Sequence, residues 1–200
     1  SRSAAAILAT HALHCMRGAG MLNGAGHHSA AAALFRPIED AIDCFAAVSL
    51  IEGAAERWQD GKLKASDAAK LWVATTSESF EHDVAHSLDD YRRRIRAQFN
   101  DYSHCHPRLA EWNLYLRPVA EPAGTTLELN FGSVIDTCAH RIDAHISASV
   151  WEFVDLLSAA FRSNETPQPG EHWAALDQLK PEFQAILDRH RSHGCFDVLI

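Results

Sequence analysis

The densest chemistry in this 200-residue chain lies in one stretch: Tyr91-Arg-Arg-Arg-Ile-Arg96, followed by Asn100-Asp-Tyr-Ser-His-Cys-His-Pro107. Arginine holds phosphate and histidine moves protons, which is what cleavage of an RNA backbone requires. Arg92 and Arg96 share a helix face. Ser103, His104 and His106 follow within a few turns. At 100° per residue His104 points roughly 200° away from Tyr102, and His106 returns to within about 40° of it. Arg96, Ser103, His104 and His106 are therefore the candidate catalytic set. The same segment also has a purely structural use. Asp89–Arg93 and Asp90–Arg94 are i,i+4 ion pairs in the favourable orientation, and an imidazole suits the C-terminal end of a helix.

A second set is Cys138-Ala-His140-Arg141-Ile-Asp143-Ala-His145. Arg141 and His145 flank the apolar stripe through Ile142, while Asp136, His140 and Asp143 share the outer face. Arg141 and His145 can meet the arginine cluster across a bundle, or serve as an interhelical ion pair and a buried neutral histidine. A third set is Arg36-Pro37-Ile-Glu39-Asp40, with Asp43 beyond it. Arg36 and Asp40 are four apart, and Glu39 can reach Arg141 or an arginine of 92–96. Arg36 and Glu39, with Arg92, Arg141 and His145, read as a polar network binding helices together or lining a binding site.

Metal ligands are present without metal-site spacing. His104-Cys105-His106 with Cys138 and His140, or His82 and His86 with Asp89, contain the right atoms. Three consecutive residues cannot all ligate from one helix, and no ExxH pair supports a di-iron site. No metal and no other cofactor is expected. Nucleophile elbows, phosphate-binding loops and dinucleotide fingerprints do not occur.

The composition limits the partners. The formal charge is −8, with 18 Lys and Arg against 26 Asp and Glu, so a broad basic nucleic-acid face is excluded. No apolar run approaches the ~20 residues of a membrane helix, so no membrane partner is expected. Five scattered cysteines (Cys15, Cys44, Cys105, Cys138 and Cys195) form no CxxC and read as reduced thiols of a cytoplasmic protein. The first 22 residues lack a continuous apolar core, so they are not read as a signal peptide.

The elements that position these residues follow period 3.6. Helices are expected over 3–23, 27–58, 66–74, 77–104, 131–161 and 171–190. Pro37 must kink the second or mark its true start. The helix over 77–104 is the clearest: Phe80, Val84, Leu88, Tyr91, Ile95, Phe99 and Tyr102 form a near-heptad seam. Residues 108–130 alternate and hold Pro118, Pro122 and Gly124, which fits a hairpin or an extended excursion. Residues 163–170 read as a linker, and the apolar tail 196–200 can dock on the body. The expected fold is all-α: one domain, an antiparallel bundle of four to six helices with that small excursion.

Residues 34–160 resemble the all-α HEPN-like bacterial proteins. The resemblance rests on Arg36, Pro37 and Glu39, on the Trp58-x-x-Gly61-Lys62 turn, and on Ser103, His106 and Pro107 closing a long helix. It implies a helical, often homodimeric protein, and for many members a metal-independent ribonuclease in a toxin or defence setting. Such enzymes use an Arg followed, after four to six intervening residues, by a His. Here seven residues separate Arg96 from His104, nine separate Arg96 from His106, and three separate Arg141 from His145. The catalytic spacing is unmet. That, the acidic charge and the 108–130 excursion favour a non-catalytic module that binds a protein partner or a small ligand. The alternatives are a ribonuclease acting on RNA through Arg96 and His106, and a Cys/His metal protein.

Overall fold

A computed structural model describes residues 2–77, 82–103, 114–118, 125–129, 132, 134–162 and 170–192. The class is all-α. The described residues form eight helical segments, more than the four to six expected. The excess comes from one place. The helix expected over 27–58 is three: α2 (His28–Ala33), α3 (Phe35–Leu50) and α4 (Ala54–Gln59), all following α1 (Arg2–Gly24). Pro37 explains the first break. It sits in the first turn of α3, where its missing N–H is no loss. Gly53 explains the second, with φ +73° in the left-handed region.

Next come α5 (Ala65–Ser77) and α6 (His82–Ser103). Two short strands, β1 (Leu114–Pro118) and β2 (Thr125–Leu129), pair antiparallel with Leu114 opposite Leu129. Then α7 runs over Asp136–Arg162 and α8 over Gly170–Ser192. The helix expected from 131 starts five residues late, because Gly132 lies at φ +80°. α8 runs through Pro181. Most of the expected linker (163–169) and the tail (193–200) lie outside the described residues.

α3 is the central helix. It packs against α1, α5, α6 and α7, and its buried residues include Phe35, Ile38, Ile42, Phe45, Ala46 and Val48. A helix in that position is buried on most of its faces, and α3 takes Glu39 and Asp43 inside along with its apolar residues. α1 meets it with the small face Ala4, Leu8, Ala12, Met16 and Ala19. Ile7 and Leu13, which share the helical period of α1, point to solvent at 58% and 50% exposure. The alanines allow close helix approach, so shape and not side-chain size chose the buried face. On α7 the buried residues include Cys138, Ile142, His145, Ser149, Phe153 and Ser158, which places three polar residues inside. No described helix is long and apolar enough to cross a membrane.

Gly53→Ala places a Cβ in the left-handed region. Nothing lies within 4 Å of that Cβ, so only backbone strain acts. A loss of about 1 kcal/mol in urea unfolding is expected; an unchanged midpoint would show that this turn tolerates a side chain.

Candidate functional site

Arg96 is the residue on which phosphate chemistry would turn, and the fold places it indoors. Its side chain is 13% exposed, and that of Asp43 is fully buried. One terminal nitrogen donates to Asp40 Oδ1 at 3.1 Å; the other donates to Asp43 Oδ2 and to the carbonyl of Ala65 at 3.0 Å. Asp43 Oδ1 also accepts from Trp72 Nε1 at 2.8 Å. Arg36 completes the cluster. Its Nε donates to Asp40 Oδ2 at 2.9 Å, and one terminal nitrogen reaches the Arg96 carbonyl and Asn100 Oδ1 at 3.3 and 3.2 Å. Two guanidiniums face two carboxylates, so the cluster is neutral and joins α3, α5 and α6.

The other arginines of the run divide differently. Arg93 and Arg94 are exposed and both donate to Asp90, whose carboxyl they hold below its ordinary range. The Arg92 side chain, and His104 and His106, lie outside the described residues. So do His82, His86 and Asp89 as side chains, and Cys105. Ser103 Oγ donates back to the carbonyl of Phe99 at 2.9 Å, a bond within its own helix. Among the described residues no group of three metal-ligating side chains forms.

Glu39 is buried and accepts from Ser149 Oγ at 3.3 Å. His145, one turn before Ser149, packs against Phe35 and Phe99 with ring centroids 4.9 and 5.5 Å away. It thus does meet α6, through a ring contact. Burial pushes its pKa down to about 4, so it is neutral at physiological pH. Arg141 is half-buried and partly offsets the rise that burial imposes on the Cys138 thiol. Burial, then Asp43 and Asp40, push the Cys44 thiol up to about 11, with Arg96 pulling against them. A thiol held there is not a nucleophile at neutral pH.

Two features escape sequence reasoning. The first is a fully connected polar network. Asn23 donates from its amide to the Ala139 carbonyl at 3.0 Å and to Asp143 Oδ1 at 2.8 Å. Its Oδ1 must then accept from His28 Nδ1 at 2.7 Å, which leaves His28 Nε2 to accept from the Ile135 N–H at 2.9 Å. His28 has no exposure and is held as one neutral tautomer. Burial lowers its pKa, Asp143 opposes that, and His27 adds to it. Asp143 does lie on an outer face and is exposed, yet it anchors this chain of bonds. Nothing in the spacing of residues 23, 28 and 143 signals it.

The second is a cleft of about 620 Å³ where α1, α7 and the C-terminal end of α3 meet. Ala5 and Ala9 of α1, Phe45 and Val48 of α3, and Leu157 and Ala160 of α7 line it. Arg2, Glu52 and Glu56 bring charge to it, and Ser49 joins the wall. Its volume lies within the range of small-molecule clefts. Compared with protein-family models, with curated proteins and with solved structures, the chain matches none.

Two outcomes follow. Arg96→Ala leaves Asp43 buried and uncompensated, and a loss of about 3–5 kcal/mol in urea unfolding at pH 7 is expected; a loss below about 1 kcal/mol would mean the carboxylates are solvated without it. For His145, the folded pKa of about 4 lies below the ordinary 6.5, so the unfolded chain binds more protons between those values. Stability is complete above pH 6.5 and falls as pH drops toward about 4, by about 3 kcal/mol in all. His145→Leu should flatten that part of the profile, and an equally steep loss in the variant would assign it elsewhere.

Proposed function

We propose that this chain is a non-catalytic, HEPN-like helical module that binds a small ligand in the cleft between α1, α3 and α7. The observation that carries the reading is the cleft: its volume, its apolar floor and its few charged groups are those of a binding site. The chemistry of Arg96 supports it from the other side. An arginine already matched by Asp40, Asp43 and a carbonyl has little left to offer a phosphate.

On this reading the protein is cytoplasmic and acts as a homodimer. Cys15, Cys44 and Cys138 are free thiols, which suits a reducing compartment. Ile7, Leu13 and Met21 leave half or more of their surface exposed at separate positions along α1, apolar surface that a second copy would cover.

Nile red, an uncharged dye whose emission rises in apolar sites, tests the cleft. Bright saturable binding to the wild type and its loss in Ala6→Trp, an exposed position on the cleft wall, are expected. No enhancement, or equal enhancement in the variant, would overturn the assignment. Cleavage of RNA in EDTA by the wild type but not by His106→Ala would establish the ribonuclease instead.

A further inference from the structure

The joint between α2 and the start of α7 is wired so that a single proton breaks it. Both ring nitrogens of His28 are engaged. Nδ1 donates to Asn23 Oδ1 at 2.7 Å, and Nε2 accepts from the Ile135 N–H at 2.9 Å. The order cannot be reversed. Asn23 uses its amide nitrogen on the Ala139 carbonyl and on Asp143 Oδ1, so only its oxygen is left for the ring. A backbone N–H can only donate. The ring has no solvent exposure.

Ile135 is where α7 begins. Its carbonyl accepts from the Ala139 N–H at 2.8 Å, which starts the helical ladder, and Asp136 is the first helical residue. The N–H groups at a helix start have no partner within the helix. His28 supplies one from another element. Protonation would place a hydrogen on Nε2. Two donors would then face each other across 2.9 Å, and that bond is lost. The bond to Asn23 survives, because Nδ1 is a donor in either form. The new Nε2–H and its buried charge need an acceptor or water, which the closed joint does not offer.

We infer that His28 is a proton-sensitive latch: charged, it releases Ile135 and opens the joint between α2 and the start of α7. The latch is separate from the cleft, which lies at the other end of α1. The surroundings of the ring set its direction. α7 brings Asp143, which favours the proton, and α2 brings His27, which opposes it. α1 brings the uncharged Asn23. Asp136 and His140 of α7 are exposed and have no resolved effect on the ring, and no described group of α3 or α6 has one. Burial is the largest influence and holds the pKa below the ordinary 6.5. The closed joint therefore keeps the neutral ring, and the open joint restores the ordinary value. Above pH 6.5 the closed form has its full stability. Below it, each unit of acidification favours opening by about tenfold until the folded pKa is reached.

Hydrogen exchange at the Ile135 amide reads the latch. The full chain is measured at pH 7.5 and 5.5, with rates corrected for the intrinsic pH dependence of exchange. Protection at Ile135 is expected to fall about tenfold. Ile42, fully buried in α3, should stay far better protected at both values. The long-range proton–nitrogen spectrum of the wild-type ring at pH 7.5 should show Nδ1 protonated and Nε2 bare. His28→Gln keeps an acceptor oxygen that does not titrate, and should leave Ile135 protection level between the two pH values. Unchanged protection in the wild type, or a ring protonated at Nε2 at pH 7.5, would overturn the latch. Equal protection at Ile135 and Ile42 would do the same, because the joint would then open only with the whole chain. A tenfold fall that persists in His28→Gln would assign the proton to another group and overturn the proposal.

Discussion

Asp43 is a carboxylate with no solvent exposure on a helix that other helices surround. Taking an ion out of water costs several kcal/mol unless partners replace the water. Those partners come from two other elements: the Trp72 indole N–H from α5, and from α6 the Arg96 guanidinium, which also donates to the Ala65 carbonyl of α5. Each bond fixes a rotation and a height along α3. A slide of α6 by one turn would leave both Asp43 and Arg96 buried without their counter-charges. The apolar contacts of α3 favour burial in general, and Asp43 makes one arrangement of α5 and α6 far better than its neighbours.

The Asn23–His28–Asp143 chain does the same for the other side of the core. Every donor in it has a named acceptor, so the amide orientation dictates the imidazole tautomer, and the tautomer dictates which backbone group can be met. The outcome ties the end of α1 and the start of α2 to the start of α7. Gly132 takes part by shape: a Cβ there would lie 3.3 Å from the His27 ring. Satisfied buried networks of this kind specify position more than they add stability.

The cleft lies at the other end of α1. There the helix presents Ala5, Ala6 and Ala9, side chains too short to fill the space beside the end of α3. Farther along, Ala12 and Met16 are buried and the gap has closed. The cleft is therefore a product of alanine spacing and of the Gly53 turn, which ends α3 and exposes its last carbonyls. The two ends of α1 therefore differ: Asn23 near its C-terminal end is locked by hydrogen bonds, and the alanines of its N-terminal end border the open cleft.

The helical class, the Arg36–Asp40 pair, the Asp90–Arg94 pair and an interruption at Pro37, as a kink or a helix start, were legible in the residues alone. Each depends on neighbours three or four positions apart, which periodicity reports directly. The buried seam of α7 was legible only in part, because His145 and Ser149 occupy positions that hydrophobic counting passes over. His28, Trp72 and the cleft gave no local signal. The roles of the charged residues were the least readable. Arg96 has the same neighbours in the chain whether it holds a phosphate or a carboxylate. What decided between them was Asp43, 53 residues away, brought within reach only when α3 and α6 packed. Local spacing by itself determined which segments are helical and which side chains share a face. The tertiary structure decided which charges met their opposites and which stayed exposed, because Coulomb energy and desolvation depend on distance in space and not on distance along the chain.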